Sequence, residues 1–235
     1  MRTRTIVFDL DGTLVDTAPD LLASLNVLLA REGLDPVDPV AGRTMIGGGI
    51  KRLIEKGLAQ QGGVFAPAHV DELFSVYIAH YAAHIADLSR PFPGVEAALD
   101  ALAGRGDRLA VCTNKLAWLS VRLLERLGLA ERFDAICGPD TFGIRKPDPE
   151  ALRQTVRVAG GTLADAVMIG DSATDIRTAR AAGVPVIAVD FGYSEVAVTD
   201  LGPDRVISHF DALPAALAAL TCHPASRPTQ PGSND

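Results

Sequence analysis

The sequence predicts an α/β fold in which a doubly wound parallel sheet carries an inserted domain of α-helices. The first supporting observation is the apolar run at residues 5–8, whose β-branched and aromatic residues are typical of a buried parallel strand. The second is that strand and helix patterns alternate after residue 91. The third is that residues 16–90 show helical periodicity and no strand pattern. We therefore expect a Rossmann-like core over residues 1–15 and 91–220, interrupted by a helical cap.

Composition limits the class of protein. The 235 residues are 48% hydrophobic, which is enough for a sizeable core. The formal net charge of −7 argues against nucleic acid as a partner, because phosphate backbones require clustered lysine and arginine. The three cysteines are scattered without a CxxC pair, which is typical of reduced cytosolic thiols. Since no stretch approaches the roughly 18 apolar residues of a membrane span, we expect a cytoplasmic protein without a membrane partner.

The predicted cap contains three helices. The first follows a Thr17-x-x-Asp20 pattern that is typical of a capping box. A glycine-rich loop at residues 47–49 leads into the second helix, and the third carries an apolar stripe over residues 70–81. Because no strand pattern interrupts these helices, we interpret the span as a domain inserted into the core.

After the cap, strands and helices are predicted in alternation. The strands are predicted at residues 109–112, 135–137, 166–169, 185–189 and 206–207. The helices are predicted at residues 95–104, 116–127, 149–159, 173–182 and 211–220. The last segment, residues 221–235, is rich in proline, serine and polar residues, so we expect a disordered tail.

Polar side chains follow three of the predicted strands at the point where each strand ends. They are Asp9 and Asp11 after the first, Thr113 and Asn114 after the next, and Asp171 after a later one, with Asp175 one helical turn further on. Because parallel strands bring their carboxyl ends to one sheet edge, we expect these groups to converge with Lys146. Carboxylates with open positions for water suit Mg²⁺ held together with a substrate phosphate. The hydroxyl, amide and ammonium groups suit the phosphate itself.

These patterns resemble the four ordered motifs of the haloacid dehalogenase superfamily. The motifs are Asp-Leu-Asp-Gly-Thr from residue 9, Thr-Asn from residue 113, Lys-Pro from residue 146 and Gly-Asp-Ser-x-x-Asp from residue 170. The resemblance extends to about residue 218, and the helical insert is similar to a type-1 cap. Within the superfamily, four further stretches most resemble the phosphoglycolate phosphatases. They lie at residues 46–49, 92–94, 112–115 and 191–193.

The resemblance implies roles for the acidic residues. Asp9 is expected to attack phosphorus and become an aspartyl-phosphate. Asp11 is expected to protonate the leaving alkoxide and then deprotonate the hydrolytic water. Mg²⁺ is expected on the Asp9 carboxylate, the Asp11 backbone carbonyl and Asp171, with Asp175 as a direct ligand or close by.

The resemblance also implies a substrate site. Thr113 and Asn114 are expected to cradle the phosphate, and Lys146 to tie it to the nucleophile. The cap loop is expected to close over the rest of the substrate, and its residues are Arg43, Gly47, Gly48 and Gly49. Backbone amides at the start of that helix suit a carboxylate, although an ordinary loop-to-helix junction explains the glycines equally well.

The expected function is Mg²⁺-dependent hydrolysis of a small phosphorylated metabolite, with 2-phosphoglycolate as the substrate that the resemblance favours. Asp11 favours phosphoryl transfer, because the dehalogenases of the superfamily lack the second aspartate. Sugar-phosphate phosphatases, pyrophosphatases and hexose-phosphate mutases remain alternatives. A non-catalytic regulatory module is a remote one, since the acidic and lysine residues of the site are all present. The sequence leaves a monomer or a homodimer open.

Overall fold

A computed structural model describes residues 3–62 and 65–220 of the chain. Its strands are β1 (Thr5–Phe8), β2 (Val15–Asp16), β3 (Arg90–Pro91), β4 (Arg108–Cys112), β5 (Ala135–Cys137), β6 (Ala166–Gly170), β7 (Val186–Val189) and β8 (Arg205–Ile207). Its α-helices are α1 (Ala18–Arg31), α2 (Ile50–Gln60), α3 (Pro67–Ala83), α4 (Val95–Gly104), α5 (Ala117–Arg126), α6 (Pro139–Phe142), α7 (Pro149–Val158), α8 (Ala173–Ala182) and α9 (Leu213–Leu220). The predicted α/β class with an all-parallel main sheet is confirmed.

The main sheet has the order β5-β4-β1-β6-β7-β8 within the described residues, and every neighbouring pair is parallel. All four residues of β1 are buried, as its apolar composition requires of a central strand covered on both faces. Strands β4 and β5 lie on one side of β1, and β6, β7 and β8 lie on the other, so the direction in which strands are added reverses at β1. Ligands bind at such a reversal, beyond the carboxyl ends of the strands. The fold therefore directs a site to the ends of β1, β4 and β6.

The cap is formed by α1, α2 and α3, which pack on one another. Tyr77 and Tyr81 of α3 are among the largest fully buried side chains. The Tyr77 hydroxyl donates a 2.8 Å hydrogen bond to the backbone oxygen of Leu21, which ties α3 to α1. These rings pack with buried leucine and isoleucine side chains of α1 and α2, so the cap has an apolar core of its own.

The prediction that residues 16–90 contain no strand is wrong at both ends of the span. β2 and β3 form an antiparallel ladder that pairs Val15 with Pro91 and Asp16 with Arg90. Two-residue strands are too short to carry a period of two, so the sequence pattern could not reveal them. The ladder joins the two chain segments that connect the cap to the core. The bounds predicted for the two domains stay a prediction.

The predicted capping box at the start of α1 is also wrong. Thr17 makes no side-chain cap, and its hydroxyl donates a 2.7 Å hydrogen bond to Asp11 instead. The Asp20 carboxylate accepts hydrogen bonds from the backbone N–H groups of Leu88 and Ser89 and from the Ser89 hydroxyl. Neither polar side chain therefore caps the helix: Thr17 binds the acidic motif after β1, and Asp20 binds the chain 68 and 69 residues further on.

The other predicted elements lie close to their expected places. The helix predicted at residues 173–182 has those bounds in α8. The last helix, predicted at residues 211–220, instead begins with a 3₁₀ turn at Phe210–Ala212 that leads into α9. None of the described helices is long and apolar enough to cross a membrane. The tail predicted at residues 221–235 lies outside the described residues.

Candidate active site

The turn after β1 brings the first acidic motif to the sheet edge. The Asp9 N–H donates a 2.9 Å hydrogen bond to the Ile169 carbonyl, which continues the β1–β6 ladder by one residue. Gly12 then turns the chain with a φ of 84°. A Cβ on Gly12 would lie 2.5 Å from a carboxylate oxygen of Asp171. Glycine is therefore required here both by the backbone conformation and by the closeness of the acidic groups.

Asp9, Asp171 and Asp175 form a buried acidic triad. One carboxylate oxygen from each lies within 4.8 Å of the others. Asp171 follows β6 and accepts hydrogen bonds from the Thr13 hydroxyl at 3.0 Å and the Tyr193 N–H at 2.7 Å. These bonds fix Asp171 against the turn that follows β1.

Asp175 is held by the start of α8. Its carboxylate accepts hydrogen bonds from the Ser172 N–H at 3.1 Å and the Ser172 hydroxyl at 2.6 Å, which makes a capping box. The same capping box orients the Asp175 carboxylate towards Asp9 and Asp171, since Asp175 lies one helical turn beyond the end of β6. The predicted convergence of Asp9, Asp171 and Asp175 is therefore seen in the structure.

The triad carries more negative charge than its surroundings compensate. Burial, the dominant cause, and repulsion by Asp175 raise the pKa of Asp9 to about 7, although Lys146 opposes the shift. Burial, Asp175 and Asp9 raise the pKa of Asp171 to about 8. Asp9 and Asp171 therefore need a further cation nearby to be fully ionised at neutral pH. Oxygen ligands in such a cluster fit a hard divalent cation.

Lys146 supplies the one ammonium that contacts this triad among the described residues. Its Nζ lies 2.9 Å from Asp9 Oδ1 and 2.6 Å from Asp175 Oδ1, and its side chain is 1% exposed. Burial opposes the charge, but Asp175 and Asp9 outweigh that cost and hold the pKa of Lys146 well above its usual range. The structure therefore places Lys146 in direct contact with Asp9, and its expected role in binding the phosphate stays a prediction.

Thr113 and Asn114 follow β4, as predicted, but they differ in what their side chains are free to do. The Asn114 side chain donates to the Lys146 carbonyl at 3.1 Å and accepts from the Lys146 N–H at 2.9 Å. Its amide therefore fixes the backbone of Lys146. The Thr113 hydroxyl accepts a hydrogen bond from the Lys115 N–H at 3.1 Å, which leaves its own proton available to a phosphate oxygen.

Sequence reasoning missed Lys115, to which it assigned no role. Its Nζ lies 2.9 and 3.2 Å from the two carboxylate oxygens of Asp11, and its side chain is 1% exposed. The ring of Tyr81, from the cap, covers this ammonium at 4.6 Å from the ring centroid. The available signal was a lysine three residues past a buried strand, beside Thr113 and Asn114. The Asp11 carboxylate faces this lysine and Thr17, so it stands outside the triad.

A cavity of about 30 Å³, room for about two water molecules, lies between the cap and the core. Its core wall is formed by Asp9, Asp11, Thr113, Asn114 and Lys115. Its cap wall is formed by Leu21, Ile46, Gly47, Gly49, Ile50 and Leu53. The arrangement encloses the first acidic motif beneath an apolar lid.

Arg43 and Gly48 are the predicted cap residues that do not line this cavity. The Arg43 guanidinium binds both carboxylate oxygens of Asp16, at 3.0 and 2.6 Å, and lies over the ring of Tyr193. Gly48 lines a neighbouring cavity, which shares Ile46 and Gly47 with this one. A contact of either residue with substrate stays a prediction.

Comparison with known proteins agrees with this geometry. A family model described as haloacid dehalogenase-like hydrolase matches residues 6–189. The chain is 51% identical over 213 residues to a phosphoglycolate phosphatase of Mesorhizobium japonicum, covering 91% of this chain and 94% of the relative. It is 46% identical over 222 residues to a phosphoglycolate phosphatase of Caulobacter vibrioides, covering 94% of each chain.

Solved structures share the fold across nearly the whole chain. A predicted phosphoglycolate phosphatase from Haemophilus somnus superposes with a TM-score of 0.85 at 26% identity, covering 92% of this chain and 99% of that one. CbbY from Rhodobacter sphaeroides, solved in complex with phosphate, has a TM-score of 0.79 at 26% identity, covering 92% and 100%. The matched family model spans both the cap and the strands that carry the acidic triad, so the chain belongs to the haloacid dehalogenase-like hydrolases.

Proposed function

We propose that this chain is a magnesium-dependent phosphatase that hydrolyses 2-phosphoglycolate to glycolate and phosphate. The observation that carries the proposed chemistry is the buried Asp9 carboxylate on the cavity wall, in contact with Lys146 and next to Asp171 and Asp175. The choice of substrate is supported by three relatives named phosphoglycolate phosphatase at 46% to 51% identity.

The first step of the proposed reaction is attack by Asp9 on phosphorus. A bond forms between the Asp9 oxygen and phosphorus, and the bond from phosphorus to the ester oxygen breaks. Asp11 lines the same cavity and gives its proton to the departing alkoxide. Lys146, at 2.9 Å from Asp9, holds the nucleophile and offsets charge on the transferred group.

The second step is hydrolysis of the aspartyl-phosphate. Asp11 accepts a proton from the attacking water, the bond between Asp9 and phosphorus breaks, and Asp9 is regenerated with release of phosphate. The Thr113 hydroxyl is free to donate to a phosphate oxygen throughout. The apolar cap wall keeps bulk water away from the site while the phosphate is transferred.

The proposed cofactor is Mg²⁺, and the residues present fit it. Asp9, Asp171 and Asp175 would hold the ion, together with the Asp11 backbone carbonyl that the family resemblance implies. Asp171 accepts hydrogen bonds from Thr13 and Tyr193 but contacts no lysine or arginine among the described residues, which leaves its charge to a metal ion. When bound, Mg²⁺ neutralises negative charge on the phosphate. The cytoplasmic location and the monomeric or homodimeric state stay predictions.

The test is phosphate release with Mg²⁺ from a panel of 2-phosphoglycolate, hexose phosphates, pyrophosphate, nucleotides and p-nitrophenyl phosphate. We expect kcat/KM for 2-phosphoglycolate to stand well above the others. The matched control is Asp9→Asn, which keeps the shape of the side chain and should be inactive but folded. A preference for a hexose phosphate or pyrophosphate would keep the chemistry and refute the substrate. An active and equally stable Asp9→Asn enzyme would refute the nucleophile.

A further inference from the structure

We propose that Lys115 binds the carboxylate of the substrate and so selects 2-phosphoglycolate over phosphate esters that lack this group. The inference rests on the proposed function. It assigns a role to the buried ion pair between Lys115 and Asp11, which the phosphoryl-transfer steps described above do not use.

The charge of the cavity wall favours this assignment. Of the described residues that line the cavity, Lys115 is the one with a positively charged side chain. Lys146, which faces Asp9 and Asp175, and Arg43, which is bound to Asp16, are not among the residues that line it. A carboxylate that enters a buried cavity needs a charged partner, because an unpaired buried charge is costly. Lys115 meets that need.

The position of the Lys115 ammonium relative to the reacting atoms also favours it. In 2-phosphoglycolate one carbon separates the ester oxygen from the carboxylate. Asp11 must reach the ester oxygen to protonate it, and Lys115 Nζ lies 2.9 and 3.2 Å from the Asp11 oxygens. An ammonium in contact with the proton donor is therefore within reach of the group next to the leaving oxygen. Its three N–H donors allow contact with Asp11 and the substrate at once.

The cap helps to fix the Lys115 ammonium in place. Tyr81 of α3 places its ring 4.6 Å from Lys115 Nζ and is itself fully buried. The ring covers one side of the ammonium, and Lys115 also lines the cavity. Cap and core thus hold the charge in a single place, which favours recognition of one substrate group at a fixed distance from Asp9.

The experiment compares 2-phosphoglycolate with ethyl phosphate, in which a methyl group replaces the carboxylate. Values of kcat/KM are measured for wild type, Lys115→Met, Lys115→Arg and the control Lys51→Met, which removes an exposed cap lysine. We expect Lys115→Met to lower kcat/KM for 2-phosphoglycolate by roughly 100-fold and for ethyl phosphate by less than about 10-fold. Lys115→Arg should recover part of the preference, and Lys51→Met should keep all of it.

Each outcome decides a separate point. Turnover of ethyl phosphate by Lys115→Met shows that the variant is folded. Equal losses on the two substrates would mean that Lys115 acts only through Asp11, and would overturn the proposal. So would an unchanged preference, or a loss of preference in Arg145→Met instead, since Arg145 is the exposed cation beside Gly49. A wild-type enzyme without a preference for 2-phosphoglycolate would refute the proposed function itself, before any variant is compared.

Discussion

Replacing Lys146 with methionine should destabilise the protein strongly when no metal is added. Methionine nearly matches the length of lysine, so the change removes the charge with little loss of packing. The side chains of Lys146 and Asp175 are 1% and 0% exposed, and that of Asp9 is 12% exposed. Removing one partner of a buried ion pair costs about 3–5 kcal/mol, because it leaves the other charge uncompensated.

The expected loss is large enough to measure by thermal unfolding. For a chain of this size each kcal/mol shifts Tm by about 2–4 °C, so Lys146→Met should melt roughly 6–20 °C below wild type. Lys51→Met removes an exposed lysine and should stay within about 0.5 kcal/mol of wild type. The deficit should shrink in Mg²⁺, which neutralises the same carboxylates. It should also shrink towards pH 5, because the carboxyls are then protonated.

Metal-free Lys146→Met protein that melts at the same temperature as wild type at pH 8 would refute this expectation. That result would mean that the triad does not depend on this ammonium for its charge balance. A deficit that persists unchanged at pH 5 and in Mg²⁺ would instead indicate lost packing, and would refute the electrostatic account while leaving the contact in place.

Two further predictions concern the acidic triad. Because the pKa values of Asp9 and Asp171 are raised to about 7 and 8, the metal-free folded protein holds extra protons and should lose stability as pH rises from about 4 to 8. Mg²⁺ binding should therefore release protons at pH 6.5, and the Asp171→Asn variant should release fewer protons than wild type. Titration calorimetry in two buffers of different ionisation enthalpy measures this release. Binding heats that do not depend on the buffer would contradict the prediction. Gly12→Ala should weaken Mg²⁺ binding as well as stability, because its Cβ would lie 2.5 Å from Asp171. The control Gly33→Ala has a similar φ of 71° and open space around it, so equal Mg²⁺ affinity in the two variants would refute the collision.

Much of the fold and the triad could be predicted from the sequence because the signals are local and repeated. A four-residue apolar run predicted the central strand. Polar residues come directly after this strand, and also after the strands that precede Thr113 and Asp171. Parallel topology then brings those strand ends together without any knowledge of side-chain contacts. Asp9 after β1 and Asp171 after β6 belong to one acidic cluster for that reason.

The remaining features depend on partners far away in the chain. The Thr17 and Asp20 pattern matched a local helix start, but Asp20 binds Ser89, 69 residues further on. Lys115 has the local appearance of a loop lysine, and its role follows from Asp11, 104 residues earlier, and from the Tyr81 ring. A helix-start pattern and a lysine are each compatible with several partners, so the sequence could not choose among them.

Tyr193 shows how such long-range contacts join the triad to the cap. Its N–H donates to Asp171 at 2.7 Å, and its hydroxyl donates to Asp16, on β2, at 2.6 Å. Asp16 in turn binds Arg43 of the cap through both carboxylate oxygens. One residue, 177 positions after Asp16, thus connects an acidic residue of the triad to the strand where the cap begins. Because these bonds are continuous, a shift of Asp171 would be transmitted to the ladder that links cap and core. The two-residue strands that the sequence pattern concealed are therefore part of the active-site architecture.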